Sequence, residues 1–259
     1  MIHNFWHLIE SNFGIIVIAW LALGLLFLPV LLWIRAPYGR YTTSNWGPMI
    51  SNRVGWFLME LPAFLIFPLL FIFGGGGKSL VTWVFFGLWV FHYLHRDLIF
   101  PWQLKTRRKK MPLSIMIFGL FFNFMNGFVN GYYFGFLSPD YTLNWLYDPR
   151  FIIGLSFFLG GMYINWHSDE KLFRLRKTGE TGYKIPYGFL YKYISCPNYF
   201  GEMMEWLGFA VMAWCLPALS FSLWTTVNLL PRALAHHKWY REQFEDYPKK
   251  RKAVVPFIL

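Results

Sequence analysis

Charge is the scarcest property of this sequence. Asp, Glu, Lys and Arg make up 14% of the chain, with only 13 acidic residues, where soluble domains carry about 25% charged residues. That shortage excludes an ordinary water-soluble domain. Cysteine is almost missing: Cys196 and Cys215 are the only two. They are too few for a disulfide framework and show no metal-ligand spacing, so both read as free thiols. No GxGxxG follows a strand pattern and no Walker loop occurs. Any nucleotide site must therefore be built from helices and loops and not from a Rossmann unit. Residues 1–10 hold no basic n-region and no small-residue cleavage site, so a removable signal peptide is not expected. Repeats, linkers and disordered tracts are also missing.

What remains is apolar and aromatic. Hydrophobic residues make up 56% of the 259 and aromatics 22%, an excess that suits a membrane chain with wet interfaces. A spanning helix needs about 20 mostly apolar residues. Seven runs qualify, at 14–34, 54–73, 79–100, 112–136, 151–167, 203–219 and 220–236, the last two separated by a turn at Leu216-Pro217. The net charge of +11 is not spread evenly. Loops 35–53, 101–111 and 168–202, the C-terminal tail and Arg96 hold 22 of the 24 Lys and Arg residues; Lys78 and Arg150 fall on the other side. The excess marks the cytoplasmic face. The expected fold is an all-α, integral membrane bundle of seven transmembrane helices in a single domain, 1–259. Its N-terminus lies outside and its C-terminus in the cytoplasm. Chemistry is expected at the cytoplasmic helix ends.

Ionisable and amide groups within the spans are functional candidates by default. Glu60 lies seven residues past Arg53, about 10 Å into its helix at 1.5 Å per residue, and Pro62 follows it. Two readings stay open. Glu60 pairs with a cation on another helix, or it is a carboxyl kept protonated to donate a hydrogen bond. Tyr93 sits one turn inside Arg96, as an interfacial anchor or as a donor to a substrate carbonyl. Asn123, Asn126 and Asn130 share one helical face, either knitting helices together or lining a cavity.

The cytoplasmic segments are richer. Asn165 and Asp169 are four apart, and the basic, Gly-rich stretch with Arg174, Arg176, Lys177 and Lys184 follows. That stretch suits a phosphate-bearing ligand, or it is plain cytoplasmic charge. Asn198, Glu202 and Glu205 fall at i, i+4 and i+7; the two carboxylates either favour the helix start or accept from ligand hydroxyls. In the tail Arg232, His236 and Tyr240 recur every four residues. His236 and His237 are adjacent and face different ways, so no metal site is expected.

These elements resemble the steroid 5α-reductases (3-oxo-5α-steroid 4-dehydrogenases). The resemblance rests on YGRYT at 38–42, WFLMELP at 56–62, HYLHR at 92–96, DPRFIIG at 148–154 and INWHSD at 164–169. It continues in RLRKTGETGYKIPYGFLY at 174–191, NYFGEMMEW at 198–206 and RALAHHKWYREQFEDYPKKRKAVVPFIL at 232–259. They run through nearly the whole chain in order, the C-terminal half being the most specific. The resemblance implies NADPH-dependent reduction of the Δ4 double bond of 3-oxosteroids. It places Glu60 and Tyr93 on the 3-keto oxygen, with hydride going to C5 and a proton to C4. It assigns cofactor contacts to Tyr38, Trp56, Arg96, Asn126, Asn165, Asp169, Arg176, Tyr183, Asn198, Glu202, Arg232, His236 and Tyr240. Arg176 and Arg232 suit phosphates, Asn198 and Glu202 the ribose or nicotinamide. Residues 150–259 would be the main NADPH-binding half.

The sequence departs from the family at three places. Met59 stands where the animal enzymes have Gln, Lys184 stands where Arg is usual, and the KTRRKK loop at 105–110 is its own. Met59 bears on the substrate's detailed shape more than on the reaction. The rival readings are a membrane methyltransferase of the prenylcysteine carboxyl type using S-adenosylmethionine, a seven-helix receptor or carrier, and a reductase of another lipid enone or sterol. Glu60 with Tyr93 and the INWHSD element oppose the first; polar residues confined to the cytoplasmic face oppose the second. The expected partner is a hydrophobic steroid entering from the lipid, not nucleic acid, and the expected state is a monomer in a bacterial inner membrane or the endoplasmic reticulum.

Overall fold

The computed structural model describes residues 2–104, 109–175 and 182–259. The protein is all-α. Its helices are α1 (Ile2–Trp33), α2 (Asn52–Phe73), α3 (Leu80–Tyr93), the short α4 (Phe100–Gln103), α5 (Leu113–Tyr132), α6 (Pro149–Arg174), α7 (Pro197–Ala213) and α8 (Leu216–Gln243). Seven of them exceed three turns. Three segments are long and apolar enough to cross a membrane, Trp6–Trp33, Asn52–Phe73 and Leu113–Leu137. The chain is a membrane protein, with large apolar side chains such as Leu26, Trp33 and Phe73 facing outward.

Several boundaries differ from the hydropathy reading, each for a local reason. The first helix starts well before residue 14, because nothing in residues 2–13 breaks a helix. The third run is not one α-helix. After Tyr93 the chain passes into a π-helical turn, Leu94–Ile99, and α4 then begins with Pro101 in its first turn. The last two runs are divided at Trp214, which takes a left-handed backbone (φ 49°), with Cys215 capping α8 and Pro217 in its first turn. The seventh run and the first part of the tail are one continuous helix of 28 residues.

Burial of aromatic rings holds the bundle together. Phe67 on α2 stacks on Trp89 of α3 with centroids 4.4 Å apart, and the Trp89 indole donates to the Ala63 carbonyl at 3.0 Å. Trp206 and Phe209 of α7 and Phe221 of α8 complete this core. The first helix joins through Trp20, whose ring lies 4.6 Å from Trp224. Trp224 Nε1 donates to the Trp20 carbonyl at 2.9 Å. In lipid, close backbone contact replaces hydrophobic driving force between helices. The α6–α7 pair shows it: a Cβ on Gly161 would lie 2.5 Å from the Gly201 carbonyl oxygen, and one on Gly208 2.5 Å from that of Gly154.

Two of the basic loops are clipped to each other. Strand β1 (Met49–Ser51) pairs antiparallel with β2 (Lys110–Pro112), Ile50 opposite Met111. The tail folds back as well. Ser195 Oγ lies 2.6 Å from both His237 Nδ1 and Tyr247 Oη, and Ser195 N donates to the Lys252 carbonyl at 2.9 Å. These ties hold the loop-bearing ends of α2, α5, α7 and α8 around one opening.

Candidate active site

That opening is a cavity of about 1830 Å³. Pockets for one small ligand usually measure roughly 300–1,000 Å³, so this one has room for two ligands. One end is apolar, walled by Leu23, Phe27 and Val30 of α1, Phe118 and Phe121 of α5, and Trp224 of α8. The other end holds Glu60, Tyr93, Arg96, Asp169, Asn198 and Glu202.

Glu60 and Tyr93 meet where the two ends join. Asn123 Nδ2 donates to the Met59 carbonyl at 2.7 Å and to Glu60 Oε2 at 3.2 Å, and the Tyr93 hydroxyl lies 3.5 Å from Asn123 Oδ1. Both open readings of Glu60 find a feature here. A cation from another helix is close, since Arg96 Nε stands 3.6 Å from Glu60 Oε1. The carboxyl also borders the cavity. Arg96 does not belong to Glu60 alone: its Nη2 is 3.6 Å from Glu202 Oε2. Its planar face packs over Trp56 and Phe100, 5.0 and 4.7 Å from the ring centroids.

The polar network continues across α6 and α7. Asn165 Nδ2 donates to the Asn198 carbonyl at 2.9 Å and to Glu202 Oε2 at 3.4 Å, and Asn198 Nδ2 donates to Asp169 Oδ1 at 2.9 Å. Nearer the loops Arg232 Nε donates to Tyr199 Oη at 2.9 Å, with its guanidinium 3.5 Å over the Tyr38 ring. His236 Nε2 is 3.3 Å from the same Tyr199 hydroxyl. Burial pushes the Tyr199 phenol above its usual range, although Arg232 beside it pulls the other way. Arg40 is caged by Tyr183, Trp239 and Tyr240, at 4.9, 4.4 and 4.6 Å from their centroids. Among the described residues neither Arg40 nor Arg232 meets a carboxylate, which leaves this rim positive and fit for an anion.

Most of the expected cofactor residues converge on this cavity: Tyr38, Trp56, Arg96, Asp169, Tyr183, Asn198, Glu202, Arg232, His236 and Tyr240 all line it. Asn165 stands behind, holding Asn198 and Glu202. Asn126 stands apart. Its amide accepts from Trp20 Nε1 at 3.1 Å and donates to the Phe122 carbonyl at 2.8 Å, so it ties α1 to α5. Arg176 lies outside the described residues. The asparagine face thus divides: Asn123 lines the cavity, Asn126 joins α5 to α1, and Asn130 donates to the Asn126 carbonyl within its own helix. Asn123, which the sequence reading left between packing and cavity lining, borders the cavity, as do Arg40, His92 and Tyr199, to which it gave no role.

Comparison with known proteins decides the family. The sequence model of the 3-oxo-5-alpha-steroid 4-dehydrogenases matches residues 109–259. Steroid 5-alpha-reductase DET2 of Arabidopsis thaliana is 42% identical over 236 residues, 88% of this chain and 90% of the relative. 3-Oxo-5-alpha-steroid 4-dehydrogenase 1 of Bos taurus is 42% identical over 243 residues, 92% of this chain and 93% of the relative. The type 2 protein of Sus scrofa is 43% identical over 226 residues, covering 85% and 87%. The chain belongs to the 3-oxo-5-alpha-steroid 4-dehydrogenase family. It is therefore an oxidoreductase. The family match covers Asn123 and the α6–α8 half of the site, and the relatives' coverage extends the likeness through most of the chain.

Proposed function

We propose that the protein reduces the Δ4 double bond of 3-oxosteroids to 5α-3-oxosteroids with NADPH. One observation carries this reading. Glu60 and Tyr93, from different helices, are linked through Asn123 on the wall of one cavity with both apolar and polar lining. A 3-keto oxygen beside them would receive hydrogen bonds from the Tyr93 hydroxyl and from Glu60 in its carboxylic acid form. Donors aimed where an enolate oxygen develops lower the barrier most. NADPH would supply the hydride that goes to C5.

The polar chamber supports the cofactor half of the reading. Arg232 and Arg40 would meet phosphates, Arg being suited to them. Asn198, Glu202 and Asp169 would hold the ribose or nicotinamide end, and Arg96 would balance the carboxylates. The apolar chamber would take the steroid from the lipid between α1 and α5. Residues 1–259 would act as one domain, with 150–259 as the main cofactor half. The seven long helices and the lopsided basic residues support seven spans, an outside N-terminus and a cytoplasmic C-terminus. A monomer suffices, since one chain supplies both chambers.

The test uses detergent-purified protein, NADPH and testosterone, with products resolved by mass and retention time. A 5α-dihydro product is expected. Glu60→Gln should keep the fold and lose most turnover; full retained activity would refute the role given to Glu60.

A further inference from the structure

The proposed reduction consumes a proton as well as a hydride, and that proton must reach a carbon deep in the cavity. Glu60, Asn123 and Tyr93 all serve the carbonyl oxygen. A second couple stands beside them. His92 Nδ1 lies 2.7 Å from Glu205 Oε1, the two residues being 5% and 0% exposed. Glu205 Oε2 has no hydrogen-bond partner. The imidazole borders the cavity. It is held edge-on by Tyr93 and Trp206, with ring centroids 5.0 and 4.6 Å away.

A buried carboxyl–imidazole pair often does no more than join two helices, here α3 and α7. Two features exceed that need. The first is position. His92 precedes Tyr93, and although the two side chains leave the helix about 100° apart, their rings touch and both border the one cavity. In an enone, C4 is bonded to the carbonyl carbon that Tyr93 serves. The second is charge. The couple holds one mobile proton, on the carboxyl or on the ring, and stays neutral overall either way. Burial of such a pair costs far less than burial of a lone charge.

We propose that the His92–Glu205 couple delivers the proton that ends on C4 of the substrate. The proposal rests on the reductase reading above. Once hydride has reached C5, the C4=C5 electron pair forms the C3=C4 bond of an enol, whose oxygen carries the proton given by Glu60. The His92 Nε2–H bond then breaks as the C4–H bond forms. The C3 carbonyl is restored and the oxygen's proton returns to Glu60. Glu205 passes its carboxyl proton to His92 Nδ1, which leaves a neutral imidazole and a carboxylate. One proton from water resets the couple. His92 is the catalytic group; Glu205 acts through it as a positioning residue.

The experiment runs full-length protein with NADPH and testosterone in D2O and reads the configuration of deuterium at C4 by NMR. Wild type is expected to give one C4 epimer, because a fixed donor serves one face. His92→Gln is expected to give both epimers and a kcat lower by about 10²-fold, the usual scale for a lost general acid, with the NADPH KM nearly unchanged. A single epimer at the wild-type rate overturns the proposal. If His92→Gln does not fold, the isosteric Glu205→Gln decides. A kcat lower by about tenfold with a larger solvent isotope effect supports the couple, and no change in either overturns it. Absence of any 5α product from wild type sinks the reductase reading itself, an outcome distinct from either variant result.

Discussion

Asn123 holds Glu60: its Nδ2 lies 3.2 Å from Glu60 Oε2 while also donating to the Met59 carbonyl at 2.7 Å. The backbone contact fixes the amide plane, so the amide oxygen must face Tyr93. Asn123→Leu keeps the approximate volume and removes all three contacts. Losing a hydrogen bond to a charged or buried group costs about 1–3 kcal/mol. We expect kcat to fall by about 10- to 100-fold with NADPH binding retained. Unchanged kcat in a folded variant would limit Asn123 to helix packing.

Arg96 offers a different test, on stability. One guanidinium stands between Glu60 and Glu202, each 3.6 Å away, in a side chain 13% exposed. Arg96→Leu leaves the Glu202 carboxylate, 12% exposed, without its cation and removes the neighbour of Glu60. Breaking such a pair typically costs about 3–5 kcal/mol. The expected result is a clear fall in Tm in detergent, measured by intrinsic fluorescence. Arg96→Lys should recover only part of it, because an ammonium cannot reach both Glu60 and Glu202 while stacking on Trp56 and Phe100. Equal Tm values for the three proteins would contradict this account.

How much of this was legible in the sequence depends on the range of each interaction. The helical class, the apolar runs and the candidate carboxyl Glu60 were legible because hydropathy and local spacing encode them. The π-turn at Leu94–Ile99 was not, since a 3.6-residue period cannot show an inserted residue. Spacing put Asn123, Asn126 and Asn130 on one face, and they are, but only the tertiary fold decides which one meets the cavity. Glu205 is the clearest case. Its i+7 spacing grouped it with Asn198 and Glu202, yet its carboxyl turns to His92, 113 residues away in sequence. The resemblance to a known family supplied the residue roles that spacing left open, and Asn126 marks where carrying a role over meets a side chain already engaged elsewhere.

The α6–α7 contact predicts a strict size limit. A Cβ at Gly161 would sit 2.5 Å from the Gly201 carbonyl and against the Glu205 backbone. Neither backbone can yield without parting the helices. Overpacking of this kind costs about 1–3 kcal/mol or more. Gly161→Ala should lower the folded yield and the Tm, whereas Gly14→Ala, which has nothing within 4 Å, should change neither. Size-exclusion profiles of the two variants decide this.

Cys196 predicts a chemical behaviour. The thiol is buried, and burial pushes its pKa up to about 12. At pH 8 about one molecule in 10⁴ would carry the thiolate, the species that reacts. Maleimide should therefore leave Cys196 unlabelled in the folded protein at pH 8 and label it after denaturation in SDS. Peptide mass analysis of the two samples is the check. Rapid native labelling would mean that the Ala253 backbone contact covering this turn opens readily.

Arg232 gives the test of the cofactor chamber. Its guanidinium lies 3.5 Å over Tyr38, its Nε donates to Tyr199 at 2.9 Å and its Nη2 to the Tyr38 carbonyl at 3.3 Å. None of these partners is a carboxylate, so its charge is left for an anion that enters the cavity. Lys in its place would keep the charge but lose the fork and the stacking. If Arg232 meets a phosphate, Arg232→Lys should raise the KM for NADPH by about tenfold, the size of one lost charge-assisted hydrogen bond, and leave the steroid KM within twofold. Tyr199→Phe separates positioning from contact. It frees the guanidinium without removing it, so a smaller rise in the NADPH KM is expected, with the same selectivity over steroid. A larger effect on steroid than on NADPH in either variant would move Arg232 out of the phosphate role and into support of the apolar chamber.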